Sequence, residues 1–326
     1  MSTSAFGLAA SPDRKGCRIG AGRSPAWDRD KAVYCGSMEQ NGHLYTEQPF
    51  DTWNELSRLV GSLAERHVFR GQANASWPLQ PTLQRSAVGH DIYRLESGLL
   101  RAFRTGASRF LSPVPEPDDS LSWLALMQHY GVPTRLLDWT LSPFIAAYFA
   151  VEDAESIGSH FSIWSISLQY LQTTARTLLA DKLKKPLDAS VRLGDKTIFN
   201  DWLPRKVDVV APVASPTGHD RLFYQRGLFL CPGNLENSFE QNIEAMADYR
   251  PPVEKGWFRK ITIPSTQRTA ALKALDTMNI NRATLFPGLD GYSQHLRQRV
   301  ELIRPTLGRR IEDYGRSPDL AEFELL

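Results

Sequence analysis

Residues 128–143 read QHYGVPTRLLDWTLSP and hold a dense group of polar and ionisable side chains beside segments that look like core. Apolar residues before this stretch recur at helical spacing, and Gly131 is suited to end that helix. Thr134–Trp139 is predicted to be a strand, and Ser142 followed by Pro143 predicts the start of the next helix. The order helix, strand, helix therefore places polar side chains where a strand meets a helix.

Outward from this stretch, strands and helices mix without the regular alternation of a doubly wound sheet. We therefore predict an α+β fold, a small mixed sheet packed with helices. Helices are predicted near residues 53–63, 92–110, 121–130, 143–154, 170–185, 267–278 and 292–303. Further strands are predicted at His67–Phe69, Phe161–Ile166, Val207–Val213, Gly227–Cys231 and Phe258–Ile263.

Three regions are expected along the chain. Residues 1–46 are rich in Gly, Ser and Ala without an apolar period, so we predict a loosely ordered N-terminal arm. Residues 47–310 show no break in composition and are predicted to form one domain. Residues 311–326 are polar and are predicted to be a peripheral tail.

The composition describes a globular chain with 42% hydrophobic residues and 23% charged residues among 326. The formal net charge of +2 creates no strong field that selects nucleic acid or an anionic membrane. The longest apolar stretch, near Phe144–Val151, is too short to span a bilayer, and we see no secretory signal. Three widely spaced cysteines favour a reducing, cytoplasmic location.

Several familiar catalytic patterns do not occur in the sequence. It has no GxxxxGK[ST] or GxGxxG phosphate loop, no HExxH or CxxC metal pattern and no GxSxG nucleophile turn. We therefore expect no metal, and basic residues do not form a stripe that reads nucleic-acid sequence.

The first candidate segment is Phe69-Arg70-Gly71-Gln72. A guanidinium at the end of a buried strand needs a charged partner or a cleft, and its planar fork suits a phosphate. Gly71 would let the backbone come close to a ligand, and Gln72 could add a hydrogen bond. The alternative is that Arg70 pairs with an internal carboxylate.

The second candidate segment is the stretch at residues 128–143. His129 and Asp138 could transfer protons or stabilise charge, although a capping histidine and a structural ion pair are the alternatives. Asp138 could pair with Arg70 or Arg135 across the sheet. The remaining polar side chains could bind an anion; these are Thr134, Arg135, Thr140 and Ser142. For Ser142, simple helix capping is the alternative.

The third candidate segment is Arg221-Leu222-Phe223-Tyr224-Gln225-Arg226-Gly227. Arg221 could bind an anion, and Gln225, just before an apolar strand, could bind an amide or a ribose hydroxyl. The alternative is that Gln225 only satisfies loop backbone groups.

Together these segments resemble the FRG domain family, which is named for its (F/Y)RG motif. Phe69-Arg70-Gly71 matches that motif, and residues 128–143 with Ala147-Tyr148-Phe149-Ala150 are similar to the family's most specific block. Arg221 with residues 225–229 resembles its third block. Residues 285–291 (LFPGLDG) resemble its closing block, with Gly288 where Asp is usual. The resemblance runs from about Phe50 to Leu296.

The order of these segments also resembles that of ADP-ribosyltransferases of the Arg-Ser-Glu type, which implies an ADP-ribosyltransferase-like core that uses NAD as substrate. Such enzymes place an Arg at the end of one strand, then a Ser/Thr-bearing strand, then a strand with an acidic or Gln-containing motif. Arg70 would bind the NAD phosphates, Thr140 or Ser142 would hold the ribose side, and Gln225 would lie at the third element. No carboxylate stands at Gly227, so Asp138, Glu236 or Glu240 would provide the charge.

Two other functions stay open. Arg70, His129, Arg135 and Arg221 could form the pocket of a non-catalytic module that binds a nucleotide or RNA. Alternatively, His129 could act as the acid or base of a ribonuclease-like toxin. The family resemblance implies a bacterial phage-defence or toxin system, with an unidentified nucleotide, nucleic-acid or protein acceptor, a possible partner protein and no membrane.

Overall fold

The computed structural model describes residues 44–63, 67–152, 154, 158–214 and 220–303. In this part of the chain, helices surround one seven-stranded mixed sheet, which confirms the α+β class. The sheet has more strands than the small one expected from the sequence. The strands are β1 (Thr46–Pro49), β2 (His67–Gln72), β3 (Leu137–Thr140), β4 (His160–Ser167), β5 (Val210–Val213), β6 (Gly227–Pro232) and β7 (Phe258–Pro264).

The strands lie in the order β1-β7-β4-β2-β3-β6-β5. Strands β1 and β7 are parallel, and every other neighbouring pair of these seven strands is antiparallel. Phe69 of β2 lies opposite Thr140 of β3, and Thr140 lies opposite Gly227 of β6. Strand β3 therefore joins the strand that carries Arg70 to the strand that follows Gln225.

The helices begin mostly at side chains that accept hydrogen bonds from the first free backbone N–H groups, as Asp91, Asp119, Ser142 and Ser167 do. Two short 3-10 turns occupy Leu203–Arg205 and Ser265–Gln267. The helices are α1 (Trp53–Leu63), α2 (Thr82–Ser86), α3 (Ile92–Ala107), α4 (Ser120–His129), α5 (Pro143–Val151), α6 (Leu168–Leu183), α7 (Lys196–Trp202), α8 (Asp220–Tyr224), α9 (Phe239–Tyr249), α10 (Arg268–Thr277), α11 (Arg282–Leu285) and α12 (Leu289–Ile303).

The core has two large clusters, one on each face of the sheet, and a small third cluster of Ala107, Trp123 and Leu126. Along β4, Ile163 packs into one cluster and Trp164 into the other, because successive side chains of a strand point to opposite faces. Helices α1, α5 and α10 cover the face of Phe69. Helices α4, α6, α7 and α9 cover the face of Trp164.

Helix α5 packs closely on the centre of the sheet, and its sequence explains why. Ser142 accepts a hydrogen bond from the backbone N–H of Ile145, and Pro143 occupies the first turn, where it needs no hydrogen-bond partner. The helix is apolar on all sides, as expected of a helix buried between neighbours. It fixes the end of β3 directly beside β2.

Three expectations about element boundaries are wrong. Strand β3 begins at Leu137 rather than at Thr134, because the backbone of Thr134 bonds to Thr82 and Leu83 instead of to a strand. Strand β5 begins at Val210 rather than Val207. Helix α3 ends at Ala107, and Phe110 beyond it is 85% exposed.

Residues 44–46 belong to the folded domain rather than to an arm. The ring of Tyr45 lies 4.7 Å from that of Trp164, and β1 pairs with β7 from Thr46 onward. The predictions for residues 1–43 and for the tail at 311–326 lie outside the described residues. Within the described ranges, no helix is both long and apolar enough to cross a bilayer.

Candidate functional site

The three segments singled out in the sequence meet on three neighbouring strands. Arg70 lies on β2, Asp138 lies on β3, and Gln225 immediately precedes β6. The Nη1 of Arg70 donates to the backbone oxygen of Asp138 at 2.6 Å. The hydroxyl of Thr140 donates to the backbone oxygen of Gln225 at 2.7 Å. Residues far apart in the sequence thus form one site across the middle of the sheet.

Arg70 is a half-buried cation with unused donor capacity. Its Nε is buried and has no hydrogen-bond partner among the described residues. Burial lowers the pKa of Arg70, while the charge of Asp138 opposes that shift and the charge of Arg85 adds to it. Because a guanidinium stays charged at any physiological pH, this arrangement favours an anionic ligand.

Asp138 is exposed and keeps one carboxylate oxygen without a protein partner. Its Oδ2 accepts from Nε2 of Gln128 at 2.8 Å, and its Oδ1 has no hydrogen bond within the described part of the chain. Asp138 forms no ion pair within 4 Å there, so the structural ion pair considered from the sequence is wrong. Its charge nevertheless acts on both Arg70 and Arg221.

Arg221 is an exposed cation that faces an aromatic ring. Its guanidinium carbon lies 4.4 Å from the centre of the Phe286 ring, and that of Arg282 lies at the same distance. Arg282 pairs with Glu152, whereas Arg221 has no ion pair in the described ranges. Burial lowers the pKa of Arg221, Asp138 opposes this shift, and Arg282 adds to it. The second cation of the site is therefore Arg221.

Thr140, Ser142 and Gln225 hold the segments together. The Thr140 hydroxyl is buried, and it also accepts from the backbone N–H of Ser142 at 3.0 Å. Ser142 caps α5, which was the alternative considered for it. The side-chain amide of Gln225 donates to the backbone oxygen of Leu285 at 3.1 Å. Through these bonds, the three residues position the site.

Thr134 and Arg135, which were predicted to bind an anion, form hydrogen bonds within the protein. Both are buried, and the side chain of Arg135 is only 2% exposed. Arg135 forms a two-pronged ion pair with Glu96, with Nε 2.7 Å from one carboxylate oxygen and Nη2 against the other. Burial alone would lower the pKa of Arg135, but the charge and hydrogen bonds of Glu96 raise it. Their role is structural.

Gly71 and Gln72, which were predicted to bind a ligand, make close contacts within the fold. A Cβ on Gly71 would lie 1.9 Å from the backbone oxygen of Ala146, so glycine is needed for α5 to approach β2. The close neighbour of this backbone is a helix rather than a ligand. Gln72 is buried, accepts from Trp164 Nε1 at 2.6 Å and donates to the backbone oxygen of Pro78 at 3.0 Å.

His129 lies at the end of α4 and is exposed. Its ring meets the ring of Tyr130 edge-on, with the centres 5.0 Å apart. The residue that reaches the site from this helix end is instead its neighbour Gln128. Gln128 lies in the second candidate segment, but its spacing does not distinguish it from an ordinary polar residue of a helix, so it was not predicted as a site residue.

The other carboxylates considered for catalysis are engaged elsewhere. Glu236 pairs with Lys206 at 2.6 Å, and Glu240 accepts from the backbone N–H of Leu79 at 3.0 Å. Asp138 is therefore the candidate carboxylate that acts together with Arg70 and Arg221.

Two cavities in the described part of the chain lie elsewhere, around the start of α3. Their volumes are about 640 Å³ and 430 Å³, and both include His90, Ile92 and Glu236 in their walls. None of Arg70, His129, Asp138 and Gln225 lines either cavity. Among the described residues, no group of three or more His, Cys, Asp or Glu side chains could hold a metal.

Comparison with known proteins identifies one domain. Residues 65–158 match the family model described as the FRG domain. The match includes Arg70, Asp138 and helix α5, and it confirms the resemblance over these residues. Segments 221–229 and 285–291 lie beyond it. No curated protein and no solved structure matches the chain.

Proposed function

We propose that this chain, which carries an FRG domain over residues 65–158, binds NAD and breaks its bond to nicotinamide in an ADP-ribosyltransferase-like reaction. One observation carries the proposal. Arg70 bonds to the backbone of Asp138, whose exposed carboxylate also acts on Arg221, and neither arginine forms an ion pair with any described residue. Phosphate-binding cations and a charge-stabilising anion are what this chemistry requires.

The substrate has two charged regions during the reaction. Its pyrophosphate is anionic, and planar guanidinium groups bind such groups through paired hydrogen bonds. As the bond between the ribose and nicotinamide breaks, positive charge develops on the ribose, and a fixed carboxylate stabilises that charge until water or an acceptor nucleophile bonds to the same carbon. Arg70 and Arg221 would bind the pyrophosphate, and the unbonded Oδ1 of Asp138 would face the ribose.

The order of the strands supports the same proposal. In ADP-ribosyltransferases an Arg strand, a Ser/Thr strand and an acidic or Gln-bearing strand contribute in turn. Here the strands that carry Arg70 and Thr140 and the strand that follows Gln225 are neighbours in the sheet. The third strand opens with Gly227, so Asp138 on the middle strand would take over the role of the carboxylate.

A second candidate is a non-catalytic module that binds a nucleotide or RNA. The specific observation in its favour is the third strand, where Gly227 replaces a carboxylate and Gln225 is bonded to Leu285. Arg70 and Arg221 would then bind phosphate without turnover. A ribonuclease-like activity has no comparable observation behind it. A role with a partner protein in bacterial phage defence or in a toxin system is proposed from the family resemblance, and a cytoplasmic location from the three widely spaced cysteines.

The experiment is to incubate the full chain with NAD and to measure nicotinamide release by chromatography. We expect release by the wild type and a loss of about 100-fold or more in Asp138→Asn, because one electrostatic group in such a site contributes that much. Asp290→Asn is the matched control, since Asp290 is an exposed aspartate on α12 that bonds only to Gln294 in the described region.

Calorimetric titration with ADP-ribose separates the two candidates. Saturable binding without nicotinamide release would favour the non-catalytic module. Neither binding nor release would refute both candidates. Retention of full activity in Asp138→Asn would exclude Asp138 as the carboxylate.

A further inference from the structure

A chain of three hydrogen bonds leads from the protein interior to the carboxylate of Asp138. The backbone N–H of Leu136 donates to Oγ1 of Thr134 at 3.2 Å. That hydroxyl donates to Oε1 of Gln128 at 2.5 Å, and Nε2 of Gln128 donates to Oδ2 of Asp138 at 2.8 Å. The chain begins at buried groups and ends at an exposed one.

The direction of this chain follows from its first donor. A backbone N–H can only donate, so the Thr134 hydroxyl receives that bond and has its own proton left for Gln128. The carboxamide of Gln128 must then present its oxygen to Thr134 and its NH₂ to Asp138. The carboxyl group of Asp138 can accept from this NH₂ group in its ionised form, and in its neutral form it can accept through a remaining lone pair.

The geometry therefore assigns Gln128 a role that the sequence did not suggest. We propose that Gln128 is a positioning residue, which holds the carboxylate of Asp138 by Oδ2 and leaves Oδ1 free for the substrate. Thr134 fixes the orientation of the Gln128 amide from inside the protein. This inference rests on the proposed function for its consequence, but the hydrogen bonding itself can be tested without NAD.

The direct test is nuclear magnetic resonance of the side-chain amides, with the Gln128 signal assigned by its loss in Gln128→Glu. We expect this signal to move as Asp138 is protonated in acid and to stay in place in Asp138→Asn. Gln294, whose Nε2 lies 3.0 Å from both carboxylate oxygens of Asp290, is the matched control. As the pH is lowered, the Gln294 amide signal should move in the wild type and in Asp138→Asn alike. If the chemical shift of the Gln128 amide does not depend on Asp138, the proposal is overturned, whatever the activity with NAD.

The functional test uses Gln128→Glu, which keeps the shape and replaces the donor with an acid. At neutral pH the introduced carboxylate would repel Asp138, and in acid its protonated form can donate as the amide does. We expect kcat for NAD cleavage to fall by about 10-fold or more near pH 8, with KM within about 3-fold, because positioning acts on the reacting geometry. The ratio of variant to wild-type activity should rise as the pH is lowered toward about 5.

The same substitution at the control position, Gln294→Glu, should leave the pH profile of NAD cleavage unchanged. A constant ratio of Gln128→Glu to wild-type activity across the pH range would refute a positioning role, since a merely structural defect has no reason to recover in acid. If the wild type neither cleaves NAD nor binds ADP-ribose, the proposed function and the catalytic consequence fail together. The amide titration then still decides whether Gln128 holds Asp138.

Discussion

The Nη1 of Arg70 donates a hydrogen bond to the backbone oxygen of Asp138, not to its carboxylate, and the bond measures 2.6 Å. The main chain of β3 thus orients the guanidinium, while the carboxylate stays available. An Arg–Asp ion pair at this place would have neutralised both groups. The actual arrangement keeps a cation and an anion side by side without joining them.

Substitution of Arg70 should affect ligand binding more than stability. We expect Arg70→Ala to weaken ADP-ribose binding by about 10-fold or more, since a charge-assisted hydrogen bond contributes about 1.5–3 kcal/mol. The free energy of unfolding should fall by no more than about 3 kcal/mol, because one hydrogen bond to the protein is lost. Calorimetry and urea unfolding measure the two effects. Arg94→Ala, at a highly exposed arginine paired with Asp91, is the control for both. Unchanged affinity in Arg70→Ala would contradict its role.

Gly71 should tolerate no side chain, because α5 occupies the space. In Gly71→Ala the new methyl group would overlap the backbone of Ala146 and Ala150, which a side-chain rotation cannot relieve. We expect the free energy of unfolding to fall by about 1–3 kcal/mol or more. Gly98→Ala is the opposite control. Gly98 lies within α3, and a Cβ added to it has no atom outside its own helix within 4 Å. We expect this substitution to stabilise the protein by about 0.5–1 kcal/mol. If Gly71→Ala and Gly98→Ala changed the free energy of urea unfolding equally, the result would argue against the packing explanation.

Arg135 and Glu96 should behave as a structural pair. Arg135→Met leaves the carboxylate of Glu96 buried without its partner, so we expect a loss of about 3–5 kcal/mol in the free energy of unfolding. Adding Glu96→Leu should recover much of that loss, because the buried charge is then removed as well. ADP-ribose affinity should stay unchanged in the double variant. Weaker ligand binding with normal stability would instead support the role predicted from the sequence.

Cys231 should be inert in the folded protein and should make stability fall at alkaline pH. It is fully buried, and burial raises the pKa of its thiol from 9.0 to about 12. The unfolded chain therefore loses this proton first. The contribution of Cys231 to stability is complete below pH 9 and is lost as the pH rises through about 12. In a Cys17→Ser, Cys35→Ser background, alkylation of Cys231 should proceed only as fast as the chain unfolds. Rapid labelling under native conditions would contradict its burial.

Much of the fold could be predicted because local patterns decide it. Alternating or continuous apolar residues identified six of the seven strands, and the capping pair Ser142 and Pro143 located the start of α5. Strand β1 was missed, because its four residues, TEQP, have no apolar character and are defined only by pairing with β7. The start of the strand near Thr134 was misplaced, since its backbone partners on α2 are 52 residues away.

The residues predicted for the candidate site fall into two groups in the structure. Arg70, Asp138 and Arg221 do come together, but Arg135 turns to Glu96 and Gln72 to Trp164. In a segment that is rich in polar residues, a side chain that faces a ligand looks the same in the sequence as one that completes a buried hydrogen bond. Gln128 shows the converse, since an unremarkable helix residue reaches the key carboxylate.

Local patterns in the chain specify the α+β class, most of the helices and strands and the three segments that carry the polar groups, because periodicity, capping and glycine placement act between near neighbours. The choice of polar side chains that keep unused hydrogen-bonding groups is made in three dimensions. That choice depends on the order β2-β3-β6 and on the close approach of α5 at Gly71. Partners that are distant in the sequence take up some of these donors and leave the half-buried Arg70 and the exposed Asp138 and Arg221 without ion pairs in the described part of the chain.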